Sequence, residues 1–561
     1  MGSLSRSSVT VTAPRKMTFD DLLIEAGGFG RFQVIVLLIL CIPRLIIPLH
    51  FLQHVFISAV PPHHCAISTQ RNPGNLSQED LLFINIPQEQ DGTFSSCKMY
   101  SQPQPYLILN RSQETVNGSG VQSCDQGWEY DLSTISSTTV TQWDLVCSRR
   151  GLSKAVATIF FIGVTLGAVI FGYLSDRYGR RVMILVSIFL AMAFGGLSAG
   201  SISYPMLAVS MALSGSVFAG LSNNIIALSV EWVDVRHRTD ATIITGFCWS
   251  IGSCVLALLA YLLRDWRWLT VAINAPLFLA IITIWWIPES ARWLLTKGRA
   301  KKAEAVLMRC AAVNGCNLDA FRKNSESIQA LAEAGPSSQT YSYIDLFRTP
   351  RLRRISLCSG LVWFAVAFSY YGIILGVSGF GFDLYLTHFL YSLVEFPGKL
   401  AMYFLMNHIG RRWSLFLTML MTGVCIGVSA GTPLSLAPFR TAVAIIGKGF
   451  SEAAFTGLIL YTAELYPTVI RQNGIGYTSF VGRIGASVAP LMLLLDDIWH
   501  LLPKTIFCVT AVACSLVAGL LPETINVPLP ETIQDVESKR DSKQLKNGDT
   551  PLTELPPRST G

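Results

Sequence analysis

The sequence predicts an all-α membrane protein in which twelve transmembrane helices form two pseudo-symmetric six-helix halves. Hydrophobic residues make up 51% of the 561-residue chain and charged residues only 14%, which is too apolar for a soluble protein of this length. The apolar residues fall into twelve runs, each close to the ~20 residues that a bilayer requires. Features of the first six runs recur in the last six. Together these observations indicate a helical bundle built from two related parts.

The basic turn in the segment GYLSDRYGRR (172–181) sets the predicted topology. Because so few residues connect two apolar runs, the runs must form an antiparallel hairpin, and the arginines place its turn on the cytoplasmic side. This turn and two other features recur roughly 230 residues later, as expected for related halves. The matched features are GRR at 179–181 and 410–412, Glu231 and Arg238 with Glu464 and Arg471, and IPES at 287–290 with LPET at 521–524.

Charge asymmetry between the polar segments supports the same topology. Residues 60–150 hold nine Asp/Glu against five Lys/Arg, whereas 292–354 hold twelve Lys/Arg against five Asp/Glu. This places the first segment outside and the second inside, with both termini in the cytosol. A short amphipathic helix from Met17 is predicted to lie on the inner membrane surface. The predicted regions are the cytosolic N-terminus 1–31, the first span 32–59, the extracellular loop 60–150, spans two to six in 151–291, the cytoplasmic linker 292–354, spans seven to twelve in 355–521, and a mostly disordered cytosolic tail 522–561.

Two further patterns in the segment 60–150 favour an extracellular location. Its three N-x-S/T sequons are useful only outside the cytosol. It also contains four of the thirteen cysteines, which in an oxidising compartment predicts two disulfides with three possible pairings. His63 and His64 beside Cys65 match no zinc spacing, so no metal site is predicted. The sequons begin at Asn75, Asn110 and Asn117, and the cysteines are Cys65, Cys97, Cys124 and Cys147.

Charged residues inside the spans are candidate substrate contacts, because a charge that faces lipid is costly. Lys399 in the eighth run and Arg483 in the eleventh suit a carboxylate or phosphate, which arginine can bind with two hydrogen bonds. Arg44 in the first run is expected to face protein or water, as a structural pairing or a ligand contact. For Lys399 the alternative is an ion pair with Glu395, one turn earlier.

Glu452 in the tenth run also has two interpretations. It lies one turn after Lys448, so an internal ion pair is the simpler one. If its carboxylate instead reaches the cavity, it would weaken the binding of strongly anionic ligands and admit zwitterions or neutral nucleobases.

Four segments carry a family resemblance: GYLSDRYGRR, PESARWLL (288–295), NHIGRR (407–412) and ELYPTVIRQ (464–472). They resemble the major facilitator superfamily, in its organic ion transporter branch, solute carrier family 22. The resemblance implies the major facilitator fold and polyspecific transport of organic anions by alternating access, as facilitated diffusion or anion exchange, without ATP or a cofactor. It also implies a basolateral plasma membrane and salicylate-, prostaglandin-, cyclic nucleotide-, nucleobase-, orotate- and creatinine-like substrates. Accumulation of an anion would require a second gradient or exchange for a counter-anion such as a dicarboxylate or chloride, which the sequence does not identify.

The resemblance also implies roles for single residues. Anion carriers of this branch keep basic residues at the positions of Lys399 and Arg483, whereas its cation carriers have an acid at the second position. Three aromatic residues match binding positions of the family, namely Tyr370, Tyr371 and Phe455.

Other aromatic and polar residues in the spans are weaker candidates. Trp363 lies seven residues before a matched tyrosine, and Trp249 could join the same pocket. Flat apolar side chains stack on many ring-bearing ligands, although helix packing is the alternative. His50 and Asn224 could contact substrate or simply bond neighbouring helices.

A separate set of charges at the cytoplasmic helix ends is predicted to gate the pathway. Salt bridges there can close the inward side and break as the two halves rock. Static topological anchors are the alternative. The set is Asp176, Arg180, Arg181, Glu231, Arg238, Arg411, Arg412, Glu464 and Arg471.

The sequence offers little support for other classes of protein. GKGF at 447–450 lacks the remainder of a phosphate-binding loop, and no HExxH motif occurs, so an enzyme is not predicted. The net charge of +7 resides in short loops beside apolar runs, which argues against a nucleic-acid partner. A cation or zwitterion carrier of the same fold, or a transporter-like receptor without flux, are the alternative functions.

Overall fold

A computed structural model describes most of the chain, and over these residues it is predominantly helical. The sequons at Asn75, Asn110 and Asn117 lie outside the described residues. The described residues are 19–67, 76–89, 92–105, 107–108, 120–234, 237–322, 325–333, 342–376, 383–467, 469–525, 530 and 532–538.

The first half of the bundle comprises spans 1 to 6. Its elements in chain order are α1 (Phe19–Glu25), α2 (Arg31–Leu52), α3 (His54–Ile57), β1 (His63–Cys65), α4 (Gln78–Asn85), β2 (Lys98–Tyr100), β3 (Val121–Ser123), β4 (Trp128–Tyr130), α5 (Thr139–Trp143), α6 (Arg150–Tyr178), α7 (Arg180–Ala199), α8 (Tyr204–Glu231), α9 (Arg238–Leu262), α10 (Trp266–Asn274) and α11 (Pro276–Ile284). Span 1 consists of α2 and α3, spans 2 to 5 are α6 to α9, and span 6 consists of α10 and α11.

The second half follows a helical linker and comprises spans 7 to 12. The linker and this half contain α12 (Ala291–Thr296), α13 (Ala300–Asn314), α14 (Leu318–Arg322), α15 (Ser325–Glu333), α16 (Pro350–Leu375), α17 (Leu384–Leu393), α18 (Glu395–His408), α19 (Arg411–Gly431), α20 (Ala437–Leu465), α21 (Arg471–Met492), α22 (Leu502–Ala518) and α23 (Ile533–Ser538). Span 7 is α16, span 8 consists of α17 and α18, and spans 9 to 12 are α19 to α22.

Ten helical segments in the described part of the chain are long and apolar enough to cross a membrane, and the two remaining spans differ for identifiable reasons. Span 12 is short, at Leu502–Ala518. Span 8 is predicted as one run at 384–405, but it is interrupted at Val394. Pro397 has no backbone N–H to donate one turn back, which explains a break at this point. The twelve-span, two-half arrangement predicted from the sequence is confirmed.

The basic turns adopt a conformation that favours glycine. Gly179 between spans 2 and 3 has φ +106°, and Gly410 between spans 8 and 9 has φ +98°. A side chain is strained at positive φ, so the glycine of each GRR turn ends one helix and lets the next begin directly. The repeated sequence therefore produces the same hairpin in both halves.

The segment after span 1 covers one end of the bundle, which is called the loop end below. Two short antiparallel sheets form in it, β1 with β4 and β2 with β3. The structure selects one of the three possible disulfide pairings, Cys65–Cys124 and Cys97–Cys147. Thr139 Oγ1 donates to the Ile57 carbonyl oxygen at 2.9 Å, which anchors the segment to span 1.

The linker helices and the N-terminal helix pack together at the opposite, linker end. Leu22 and Leu23 of α1 are 0% exposed, and Asn314 Nδ2 of the linker donates to the Ala26 carbonyl oxygen at 2.8 Å. Leu22 and Leu23 are thus covered by protein, whereas Ile24 of the same helix is 53% exposed. The predicted position of α1 on the inner membrane surface stays a prediction.

Part of the predicted disordered tail is also ordered. Helix α23 reaches span 7, where Glu537 Oε1 accepts from the backbone N–H groups of Arg351 at 3.0 Å and Leu352 at 3.2 Å. A carboxylate at these N–H groups satisfies donors that a helix start leaves unpaired and complements the helix dipole. Residues 532–538 are therefore an ordered part of a tail that is predicted to be mostly disordered.

Candidate substrate site between the two halves

Four charged side chains form a buried cluster between spans 8 and 10. Lys399 Nζ lies 3.4 Å from Glu395 and 2.9 Å from Glu452, and Lys448 Nζ lies 2.8 Å from Glu395 and 3.8 Å from Glu452. Each residue is at most 8% exposed. Two lysines and two glutamates, here called the four-charge cluster, carry no net charge. The ion-paired alternative for Lys399 and for Glu452 is the one that the structure contains.

Neutral groups from both halves complete the hydrogen bonding of the four-charge cluster. Ser250 Oγ of span 5 donates to Glu395 Oε2 at 2.7 Å, and Tyr370 OH of span 7 donates to Glu395 Oε1 at 2.9 Å. Trp249 Nε1, next to Ser250, donates to Tyr370 OH at 3.2 Å. The Lys448 ammonium lies 3.7 Å from the centre of the Tyr370 ring, a cation–π contact. Both carboxylate oxygens of Glu395 therefore accept hydrogen bonds, and the donors belong to spans 5, 7, 8 and 10.

Arg44 and Arg483 behave differently, because among the described residues no carboxylate forms an ion pair with either. Arg44 Nη1 donates to Ser222 Oγ at 2.9 Å, and its Nε to the Thr245 carbonyl oxygen at 3.4 Å. Arg483 Nη2 donates to Asn223 Oδ1 at 2.9 Å. Span 4 thus holds both guanidinium groups through consecutive side chains, although Arg44 belongs to the first half and Arg483 to the second. These two residues are called the arginine pair below.

Most of the predicted aromatic residues form a continuous wall beside these groups. Tyr370 packs against Tyr371 and Phe455, with ring centres 5.1 Å and 5.4 Å apart. Phe455 also packs edge-on against Trp363 at 5.7 Å. The guanidinium of Arg44 lies 5.5 Å from the Trp249 ring. The charges of both members of the arginine pair act on the Tyr371 hydroxyl, which places that tyrosine near both.

Two of the weaker candidates face away from this region. The His50 ring stacks on Phe218 within the first half at 3.9 Å. Asn224 Nδ2 donates to the Gly220 carbonyl oxygen of its own helix at 2.9 Å. Its neighbour Asn223 is the residue that contacts Arg483, and the sequence prediction missed it. The polar run Ser222–Asn224 in an apolar helix was a usable signal, but it does not say which side chain faces the other half.

Comparison with known proteins identifies the family. A sequence profile described as Major Facilitator Superfamily matches residues 134–527. Solute carrier family 22 member 7 of Rattus norvegicus is 47% identical over 530 residues, covering 93% of this chain and 99% of the relative. The chain belongs to solute carrier family 22 of the major facilitator superfamily. Member 7 of Homo sapiens is 45% identical over 548 residues, covering 96% and 100%, and member 6 of Danio rerio is 39% identical over 531 residues, covering 93% and 95%.

The closer subfamily resemblance in the sequence agrees with these relatives. GKGFSEAAFT (447–456), VGRIGASVAP (481–490) and LPETIQDVE (529–537) are most like organic anion transporter 2, which is member 7 of the family. Members of solute carrier family 22 are transporters, so this chain is a transporter rather than an enzyme.

Solved structures support the major facilitator fold. The proton:xylose symporter XylE bound to 6-bromo-6-deoxy-D-glucose superposes with a TM-score of 0.58 at 14% identity, covering 91% of this chain and 99% of that one. The inward open conformation of XylE from E. coli gives 0.56 at 17% identity, covering 73% and 93%. At such identities the likeness concerns the fold alone.

The predicted gating residues of this family member form two matching clusters at the linker end. In the first half, Arg180 pairs with Asp176 at 2.9 Å and with Glu231 at 3.3 Å. In the second half, Arg411 pairs with Glu464 at 3.1 Å. Each cluster joins helices of one half, so these bonds tie hairpins together within a half in this conformation. A gate between the halves stays a prediction.

Two glutamates that the sequence repeat matched have a role that the prediction did not assign. Glu289 Oε1 accepts from the backbone N–H groups of Arg180 at 2.9 Å and Arg181 at 3.1 Å. Glu523 accepts from those of Arg411 at 2.8 Å and Arg412 at 3.1 Å. These are the glutamates of IPES and LPET, and each caps the helix that follows a basic turn.

Arg238 and Arg471 have other partners. Arg238 Nη2 and Arg292 Nη2 both donate to Asp20 Oδ1, at 3.0 Å and 2.8 Å, which links span 5 and the linker to α1. Arg471 Nε donates to the Tyr466 carbonyl oxygen at 3.3 Å. The charge of Arg238 also acts on Arg471, so these two arginines from different halves lie in the same region of the linker end.

Proposed function

We propose that this chain moves small organic anions across the plasma membrane by alternating access, with the anion bound between Arg44 and Arg483. The observation that carries the proposal is that these two guanidinium groups contact only neutral acceptors among the described residues. A guanidinium presents five N–H donors, so each retains donors for a carboxylate or phosphate. The pair brings two positive charges from opposite halves to the neighbourhood of Tyr371, and the proposal is that a bound anion contacts both.

The four-charge cluster shapes the same site without adding net charge. Its lysines are already neutralised by Glu395 and Glu452, so the arginine pair sets the sign of the local field. The aromatic wall of Tyr370, Tyr371 and Phe455 suits ring-bearing ligands. Together these features fit salicylate-, prostaglandin-, orotate-, nucleobase- and cyclic nucleotide-like solutes, as well as creatinine-like ones. The same neutrality disfavours the cation carrier, which needs an unpaired carboxylate.

Contacts between the halves support a rocking mechanism. They run along spans 2 and 11 and spans 5 and 8, from the middle of the bundle to the loop end. Thr165 and Ser487 hydroxyls lie 3.5 Å apart, and Arg150 lies 3.4 Å from Asp496. Separation of these contacts would open the loop end. We place the loop end outside the cell and the linker end and both termini in the cytosol. The membrane that we propose is the basolateral plasma membrane. The predicted glycans on the loop fit this orientation.

Energetics favour exchange for anions that are accumulated. An inside-negative potential of 100 mV opposes the entry of one negative charge by about 2.3 kcal/mol. Outward movement of a second anion, such as a dicarboxylate or chloride, would offset this cost. Facilitated diffusion would suffice for uncharged substrates.

The proposal is tested by uptake of labelled salicylate into sealed vesicles that contain the purified protein. We expect time-dependent, saturable uptake that Arg483→Asp abolishes and Arg483→Lys retains in part. Arg309→Asp is the matched control, because it makes the same charge change at an exposed linker arginine and should leave uptake unchanged. Undiminished uptake by Arg483→Asp would exclude the proposed site.

Binding measured on the same preparations separates transport from sensing. A receptor would bind salicylate without moving it into the vesicles. If Arg483→Asp gained uptake of an organic cation that the wild type excludes, the charge at 483 would be confirmed as the selector of substrate sign.

A further inference from the structure

A small cavity lies between the halves at the loop end, away from the arginine pair. Its polar lining comes from the first half, at spans 1 and 2. The polar residues are His54, Ser58, Ser153 and Lys154. The second half contributes an apolar cover, which includes Leu384 of span 8 and Pro490 of span 11. The cavity volume is about 30 Å³, room for about two water molecules or one ion of chloride size.

The polar atoms of this lining lack partners among the described residues. Both ring nitrogens of His54, Ser58 Oγ and Ser153 Oγ are buried without a hydrogen bond. These residues are only 3%, 7% and 0% exposed, respectively. A buried polar group without a hydrogen bond is unfavourable, so three such side chains around one cavity point to a polar ligand at this place.

The chemistry of the lining selects an anion. An ammonium, two hydroxyls and an imidazole N–H can all donate, and no acidic side chain lines the cavity. Asp496 and Arg150 both lie close enough for their charges to act on Lys154, but they bond to each other at 3.4 Å, and Asp496 also bonds to His500 at 2.9 Å. A cation would meet the Lys154 ammonium directly. An organic anion would exceed the volume.

We propose that this cavity binds a chloride-sized inorganic anion, held by the Lys154 ammonium, the Ser58 and Ser153 hydroxyls and the His54 ring. The site is distinct from the arginine pair, where we propose that the transported anions bind. When the loop end closes, the His54 ring and the two hydroxyls are buried, whereas Lys154 stays half-buried. A bound anion satisfies these donors, so it stabilises the conformation in which the loop end is shut.

Thermal unfolding of the purified full-length protein tests the site with chloride as the probe. Unfolding temperatures are compared in sodium chloride and in sodium gluconate of equal ionic strength, since gluconate is too large for the cavity. Chloride should raise the midpoint by on the order of 2 °C. Lys154→Met should lose this rise, and the milder Ser153→Ala should reduce it, which keeps the test informative if the lysine variant folds poorly.

Two further variants show where chloride acts. Lys504→Met is the matched control, because the charge of Asp496 also acts on Lys504 but this lysine does not line the cavity, and it should keep the full rise. Arg483→Met should keep the rise even where it loses salicylate uptake, which separates this site from the substrate site.

Equal unfolding temperatures of the wild type in the two salts would mean that the cavity holds only water. A full rise in both Lys154→Met and Ser153→Ala would place the chloride elsewhere. Either result would overturn the proposal.

Discussion

The four-charge cluster is buried and the arginine pair is half-buried, and the two sets of charges at the boundary between the halves are paired in opposite ways. Each charge of the cluster has an oppositely charged neighbour within 4 Å, as for Lys448 and Glu395 at 2.8 Å. Arg44 and Arg483 instead contact hydroxyl, amide and carbonyl oxygens of spans 4 and 5. A charge inside a span is therefore not by itself evidence of a ligand contact. Its partners decide between stability and binding.

This difference predicts separate consequences for the two regions. Loss of one member of a closed ion-pair set leaves an uncompensated buried charge, which costs stability. Loss of an arginine that bonds only to neutral groups weakens the attraction of an anionic ligand. It leaves no unpaired carboxylate behind.

The largest expected effect is on stability, in Lys448→Met. The Lys448 side chain is 0% exposed and contacts both glutamates of the cluster. Its removal leaves two carboxylates with one lysine, and we expect a loss of about 3–5 kcal/mol in the free energy of unfolding. Thermal or denaturant unfolding in detergent measures it. Glu395→Gln combined with Lys448→Met should recover a large part of the loss, because charge balance returns. A double variant as unstable as the single one would contradict charge imbalance as the cause.

The next largest effect is on uptake, in Arg44→Met. A hydrogen bond to a charged group contributes about 1.5–3 kcal/mol, so kcat/KM for salicylate should fall about 10- to 100-fold. Stability should change much less than in Lys448→Met, since no carboxylate loses its partner. Initial uptake rates and unfolding temperatures of the same preparations make the comparison. If Arg44→Met were instead as unstable as Lys448→Met with normal uptake, the two regions would not differ as described.

A smaller effect distinguishes two adjacent asparagines. Asn223→Ala removes the acceptor that orients Arg483, which should raise KM for salicylate about fivefold, corresponding to about 1 kcal/mol. Asn224→Ala removes a bond within its own helix and should leave KM unchanged. Equal KM values for the two variants would exclude a positioning role for Asn223.

The sequence was sufficient to predict the fold, because the features that determine it lie within short segments of the chain. Apolar run length gave the spans, and the GRR turns gave the hairpins, which Gly179 and Gly410 form as expected. The interruption of span 8 at Val394 could have been predicted from Pro397, three residues later. The burial of Leu22 and Leu23 in α1 was not predictable, because apolar periodicity does not say whether lipid or protein covers an apolar face.

The candidate site was only partly predictable, for a related reason. Spacing along one helix indicated that Glu395 can pair with Lys399 and Lys448 with Glu452, and both pairs occur. It could not indicate that the pairs merge across spans 8 and 10, nor which of three polar residues on span 4 faces Arg483. Those facts depend on helix rotation about the long axis and on contacts between distant segments.

The smallest effect extends the comparison to the two halves themselves. Glu289→Gln and Glu523→Gln each keep an acceptor oxygen at the start of a helix but remove the negative charge. That charge interacts with the positive end of the helix dipole and stabilises the fold by about 0.3–1 kcal/mol. In each half, the carboxylate accepts from the backbone N–H groups of the two GRR arginines, which begin the helix. The two variants should therefore lower the unfolding temperature by similar amounts. Their uptake should stay within about twofold of the wild type, since neither residue lies near the arginine pair. A loss of uptake confined to one variant would show that the matching clusters serve different purposes, one structural and the other part of the moving gate.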